Sequence, residues 1–222
     1  MRKINFSNNE YYHIYNRGTD KRDIFLDEDD YLRFLLSLKE FNRLEPIGSL
    51  YEKNYQNKKA IEQGSNPQLG IGSQADSLLV EIICYCLNPN HYHLILKQLC
   101  DNGISKFMHK ISLGYTIYFN LKNERSGSLF QGKFKFTQIT SFEHLLWLSV
   151  YVNTNAQIHG ITDNAADYPW CSYPAYLGIK GDDICNKNVI LNEFYDYKAI
   201  AEDTAKFMKK KKEMEKYLME DF

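Results

Sequence analysis

The stretch "LLVEIICYCLNPNHYHLIL", residues 78–96, limits the folds open to this chain more than any other. Its first ten residues are almost wholly apolar and read as a buried strand. Asn88-Pro89-Asn90 is a turn, because proline presets φ and asparagine tolerates turn conformations. "HYHLILKQ" then returns as the antiparallel partner. A buried hairpin at this point calls for an antiparallel sheet with other elements packed on it, and the rest of the chain reads that way.

"EYYHIYNRG" is aromatic and β-branched and ends at Gly18, so it reads as a strand. "DEDDYLRFLLSLKEFNRL" opens with acids, which suit a helix N-terminus, and carries apolar residues at helical spacing. "GISKFMHKISLGYTIYFNLKN" is a second helix with a positive face. "SGSLFQGKFKFTQI" holds a loop and a fourth strand, and "SFEHLLWLSVYVNTNAQI" is a third helix, with Ser141 as its cap and Gly160 just beyond its end. The order β-α-β-β-α-β-α predicts an α+β fold, a central antiparallel sheet with packed helices. Residues 44–77, with "GSNPQLGIGSQADS", show no clear period and read as a loop insertion. We therefore expect one domain over 1–178 and a charged helical extension over 179–222, where "KKKKEMEK" reads as a solvated helix face.

Composition narrows the function classes. The formal net charge is −1, so a general pull toward nucleic acid is not indicated. Residues 97–140 nevertheless hold seven lysines and arginines against Asp101 and Glu124. The five cysteines form no CxxC pair and no even framework, which suits a reduced, cytoplasmic setting. No run of about 18 apolar residues occurs, so no membrane partner is expected.

His91 and His93 flank Tyr92, and on a strand residues i and i+2 face the same way. Taken alone, they are either metal ligands or half-buried strand histidines. Tyr151 and Asn155 stand four apart in "YVNTN", one turn apart on a helix face. Two imidazoles and an amide oxygen form a donor set suited to a divalent cation, magnesium or manganese, in an open site. The phenol beside them is then a candidate nucleophile. A free phenol titrates near pH ~10, so it needs an electrophile polarised by a metal, such as a phosphodiester. Tyr115 and Tyr118 lie on the second helix without an amide four residues later, and Tyr11, Tyr12 and Tyr15 read as strand residues.

"NPNHYHLIL" resembles the HUH motif of single-stranded DNA endonucleases. Together with "EYYHIYNRGTDKRDIF", "GSLFQGKFK", "YVNTN" and "DYPWCSYPAYLG", it resembles the REP-associated tyrosine transposases, single-tyrosine, IS200-like relatives of insertion-sequence transposases. The resemblance spans roughly residues 10–43 and 78–178. It implies an HUH-endonuclease, ferredoxin-like sandwich that cleaves and rejoins single-stranded DNA beside REP-like hairpins through a 5′-phosphotyrosine link. It implies Tyr151 as nucleophile, and His91, His93 and Asn155 as ligands of Mg2+ or Mn2+. Asn155 is followed by Ala156, where the family usually carries an Asn-Pro pair.

The end of the first strand, Asn16 and Arg17, falls where the family helps read a guide sequence, and an arginine can pair bidentately with guanine. Arg125, Gln131, Lys133 and Lys135 precede the tyrosine helix and are candidate phosphate contacts. The partner expected is single-stranded hairpin DNA in a nucleoid-associated setting, with the protein a monomer or dimer. The alternatives are a related HUH replication or relaxase-type nickase and a domesticated, non-catalytic hairpin DNA- or RNA-binding module.

Overall fold

The computed structural model describes residues 6–45, 78–194 and 196–220, with side chains described through residue 212. Residues 46–77, most of the expected insertion, lie outside the described residues.

Four strands form one sheet: β1 (Tyr11–Arg17), β2 (Val80–Asn88), β3 (His91–Gln98) and β4 (Lys135–Ile139). Their spatial order is β2-β3-β1-β4, and every pairing is antiparallel. The helices packed on the sheet between and after its strands are α1 (Glu28–Glu40), α2 (Gly103–Lys122) and α3 (Phe142–Asn153). Four more follow, α4 (Asn155–Ile158), α5 (Tyr173–Tyr176), α6 (Asn188–Leu191) and α7 (Tyr197–Glu220). The α+β fold with a central antiparallel sheet is the one that the hydrophobic periods led us to expect.

Strand parity divides the core into two layers. On one sheet face Tyr12, Ile14, Tyr92, Leu94 and Leu96 pack with Phe34 and Leu38 of α1 and Phe107, Ile111 and Tyr115 of α2. On the other, Ile83, Cys84, Cys86 and Ile95 pack with Leu145, Leu146 and Val150 of α3 and with Tyr173 and Tyr176 of α5. Tyr197 opens α7 and is buried in this second layer, where its hydroxyl meets Asn153 Nδ2 at 2.8 Å and Ser149 Oγ at 3.1 Å. The face that carries His91 and His93 is the face that α3 covers.

One irregularity in β2 decides which side chains join that face. Ile82 pairs with Leu96 but Cys84 pairs with Ile95, so one extra residue is accommodated there. Beyond this bulge the parity of β2 is inverted. Cys86 comes opposite His93 and Asn88 opposite His91, all on the α3 side.

The hairpin turn is clamped from outside. Pro89 O accepts from Ile24 N at 2.7 Å and from Phe25 N at 3.0 Å, and Asn90 O accepts from Gly18 N at 2.9 Å. Gly18 is required here because a Cβ would lie 2.2 Å from Arg22 O.

The tyrosine helix departs from the expected single helix. Ser141 caps it as expected, accepting from His144 N at 3.1 Å. Thr154, at φ −101 and ψ 7, interrupts it. Its hydroxyl donates back to Val150 O at 2.8 Å, a bond that bends helices. Asn155 therefore opens a separate short turn, and Gly160 follows with φ +69.

A buried ion pair ties the two helices of the first layer together. Asp30 has a side chain fully out of solvent, with Lys122 Nζ at 2.8 Å and Leu26 N at 2.8 Å. Lys122 also meets Asp27, which caps α1. Removing the ammonium leaves an uncompensated buried carboxylate. Lys122→Met is expected to lower the unfolding free energy by about 3 kcal/mol, read from urea denaturation. A loss within ~0.5 kcal/mol would show that solvent compensates Asp30.

Candidate active site

The site grows from the end of the hairpin. His91 and His93 project together toward α3 while Tyr92 turns into the opposite layer. Their rings meet edge to face with centroids 5.2 Å apart. Tyr151, half-buried on α3, brings its ring edge-on to His93 at 5.8 Å. Asn155 is fully buried at the start of α4 and stays near Tyr151 despite the break at Thr154, near enough for its amide to lower the phenol's pKa against the larger effect of burial. The i, i+2 and i, i+4 pairs of the sequence thus converge on one place.

A chain of hydrogen bonds fixes proton positions at His91. Its Nδ1 lies 2.6 Å from Asn90 Oδ1, so this nitrogen carries the proton. Its Nε2 is then an acceptor, filled by Asn88 Nδ2 at 2.8 Å. The same amide nitrogen donates to Asn155 Oδ1 at 2.6 Å. Two lone pairs, one from His91 and one from Asn155, therefore converge on a point held by the Asn88 amide. Asn155 Nδ2 is buried and has no hydrogen-bond partner.

Three more residues join the site that the sequence reading did not place there. His13 of β1 faces His93 across the strand pair, with Nε2 2.8 Å from His93 Nδ1. His159, after α4, stands with its ring 5.2 Å from His91 and meets Lys212 Nζ of α7 at 2.7 Å. Asn88 has been described. The register of β1 on β3 puts His13 on the face of His93, and no local signal in the chain reports that pairing. Among the described residues, no group of three or more His, Cys, Asp and Glu side chains could hold a metal ion.

A second phenol is also present. Tyr15 of β1, paired in register with His93, stacks on it with centroids 5.8 Å apart. Tyr115 is instead fully buried in the other layer, donating to Ile24 O at 2.6 Å, and Tyr118 donates to Asp30 there at 3.1 Å. Tyr15, not Tyr115, is the alternative hydroxyl at this site.

The candidate DNA contacts separate into two groups. Arg17 is exposed at the end of β1, opposite His91 in register, and its Nε donates to Gln131 Oε1. Lys133 and Lys135 are exposed beside them on the strand edge, with Lys135 opposite Tyr15. Asn16, by contrast, is buried, accepting from Arg17 N at 2.9 Å and donating to Gly132 O at 3.2 Å, so it holds the loop to the strand. Arg125 braces the end of α2, with Nη1 2.6 Å from Asn120 Oδ1 and the guanidinium over Phe119.

Burial dominates the electrostatics. It depresses the His91 pKa, lowers that of His13 to about 4 with help from His144, and lowers that of His159 to about 4 with help from Lys212. His93 is pushed well below its ordinary value by burial and by the neighbouring imidazoles. All four rings are neutral near pH 7, with lone pairs available. Burial raises the Tyr151 pKa, so its phenol is protonated there. The unfolded state binds these protons first as pH falls, so each ring's contribution is complete above about 6.5 and is lost on acidification toward 4. Unfolding free energy is expected to drop between pH 6.5 and 5, above the main carboxylate range, and the drop should shrink in His159→Gln. A flat profile in that window would contradict four neutral rings, of which His13 and His93 are buried, His91 is half-buried and His159 is exposed.

Residues 53–155 match the family model described as IS200-like transposase. Among solved structures, the chain is similar to one described as a REP-associated tyrosine transposase bound to a REP hairpin. The identity is 14%, with 84% of this chain and 93% of that chain covered and a TM-score of 0.52, a likeness of fold. No curated protein matches. The segment that carries the histidine pair, the loop before the tyrosine helix and the tyrosine itself is therefore the part of the chain that is similar to the IS200-like transposases, as the motifs led us to expect.

Proposed function

We propose that the protein is a metal-dependent transposase that cleaves and rejoins single-stranded DNA beside hairpins, with Tyr151 as nucleophile. The observation that carries this reading is the convergence of Tyr151, His91, His93 and Asn155 at the end of one hairpin. The match of residues 53–155 to the IS200-like family supports the reaction class. A similar structure is described as bound to a REP hairpin, which supports hairpin DNA as the partner here.

The donor set fits a divalent cation of the magnesium or manganese kind. His91 Nε2 and Asn155 Oδ1 already direct lone pairs at one point, and the Asn88 amide nitrogen now donates there. His91, His93 and Asn155 would hold the cation, which would supply a Lewis acid for a scissile phosphate oxygen. The chain's own residues do the rest. Tyr151 Oη attacks phosphorus, the bond from phosphorus to the 3′-oxygen breaks, and the phenol's proton is balanced by the one gained on the 3′-hydroxyl. The 5′-phosphate stays on Tyr151. Because one phosphoester replaces another, a 3′-hydroxyl can reverse the step and join strands without a nucleotide cofactor. Arg17, Gln131, Lys133 and Lys135 are exposed at the same end of the sheet and would meet phosphates and bases.

The same fold without chemistry would be a binding module, so the covalent adduct is the decisive readout. Tyr151→Phe deletes one oxygen of a half-buried ring and leaves the packing of α3 in place. With a hairpin oligonucleotide and magnesium, the adduct is expected to fall by roughly a thousandfold or more while DNA affinity is retained. Persistence of the adduct in Tyr151→Phe and its loss in Tyr15→Phe would transfer the role to Tyr15.

His91→Ala and His93→Ala are each expected to weaken Mn2+ binding and abolish cleavage. Asn155→Ala should act in the same direction more mildly, since water replaces an amide oxygen. Both histidine variants cleaving as wild type at limiting magnesium would make these residues structural.

A further inference from the structure

Among the charged and polar groups around the site, the contact with the plainest chemical consequence is the one between His13 and His93. Both imidazoles are buried, at 7% and 8% exposure, and His13 Nε2 lies 2.8 Å from His93 Nδ1. Two neutral rings at that distance share one proton, and either nitrogen can carry it. The two arrangements differ in what they leave on the far side of His93. If His13 donates, His93 must carry its own proton on Nε2, and that nitrogen has no lone pair to offer. If His93 donates, its Nε2 is an open acceptor.

His91 shows which arrangement is consistent with the rest of the site. Its Nδ1–H is held by Asn90 Oδ1 at 2.6 Å and its Nε2 is the acceptor, directed at Asn155 and Asn88. The two histidines project from one strand face, and ligands on alternate strand positions meet a common ion when both present the same nitrogen. We infer that His13 is a positioning residue: it accepts a hydrogen bond from His93 Nδ1–H and so holds His93 in the tautomer whose Nε2 lone pair is open to the site.

The surroundings support a fixed role for His13. It sits in the middle of β1, between β3 and β4, paired in register with Ile95 and Thr137. Its ring lies nearly coplanar with that of His93, with centroids 5.1 Å apart and 15° between planes as an in-plane hydrogen bond requires, and its centroid is 5.0 Å from that of Tyr15. The Tyr15 ring on one side, the hydrogen bond to His93 and a strand on each edge leave the ring little freedom to turn. An orienting partner of a ligand histidine is usually a carboxylate or a carbonyl. Here a second imidazole fills that place and keeps the pair uncharged.

The inference rests on the metal reading above, and the test separates the two. The His93 tautomer is read in metal-free wild type from long-range proton–nitrogen correlation spectra. Mn2+ affinity is then measured by calorimetry for wild type, His13→Gln and His13→Leu. Gln offers an acceptor oxygen near the position of Nε2, and Leu offers none. The expected result is His93 protonated on Nδ1 in wild type, a ~10–100-fold loss of Mn2+ affinity in His13→Leu, and recovery of most of it in His13→Gln. His93 protonated on Nε2 in wild type overturns the inference, and so does His13→Leu binding Mn2+ as tightly as wild type. Wild type that binds no Mn2+ while His93 holds the expected tautomer overturns the metal reading, and with it the purpose assigned to His13. Should His13→Leu fail to fold, the wild-type tautomer and the affinity of His13→Gln still decide: a Gln variant as weak as His91→Ala overturns the inference.

Discussion

The clamp on the β2–β3 turn is the contact from which the site follows. Three backbone N–H groups, from Gly18, Ile24 and Phe25, close on the carbonyls of Pro89 and Asn90. Without those partners, the carbonyls of two half-buried turn residues would have to turn to solvent, and the turn would lose its hold on the β1–α1 connection. With them, the end of the hairpin is rigid, and His91 emerges from it at a fixed angle. The same segment that closes the turn continues from β1, so Arg17 is delivered beside His91 by the same connection. Position at one end of the sheet, and not any single side chain, is what gathers the site.

The polar content of that end is high for an interior. His13, His93, Asn88, Asn153 and Asn155 are all buried. Such a cluster costs free energy unless its members satisfy one another, and most do. The exception is the Asn155 amide nitrogen, which has no partner. A purely structural core would gain from apolar residues here. Neutral imidazoles with depressed pKa values, a protonated phenol and an amide with an unused donor make chemical sense as a ligand and nucleophile set.

Much of this was legible in the chain. Strand and helix periods give the order of elements, and parity puts His91 and His93 on one face with Tyr92 on the other. The spacing of Tyr151 and Asn155 survives the break at Thr154 because a single back-bonded residue bends the helix without rotating the pair apart. What the chain hides is cross-strand register. His13 and His93 are separated by 80 positions and meet only through the β1–β3 ladder. Tyr15 reaches His93 the same way. Asn16 and Arg125 read as DNA contacts because their side chains are polar and their neighbourhood is loop-like, yet both are engaged inside the protein. Their partners, Gly132 and Asn120, become neighbours only through the fold.

The bulge in β2 makes the hairpin a counting device. A strand writes its residues alternately on two surfaces, so the surface a residue reaches depends on whether its distance along the strand is odd or even. The extra residue between Ile82 and Cys84 changes that count once, and everything from Cys86 to Asn88 is read on the other side. A chain one residue shorter at this point would keep Asn88 opposite His91, because the turn fixes that pairing, and would instead turn Ile82 and Val80 from the aromatic layer beneath α1 and α2 to the α3 side. Single-residue length variation in β2 is therefore not neutral slack in a buried strand. It would exchange the layers that the start of the strand fills with no substitution at any of its residues.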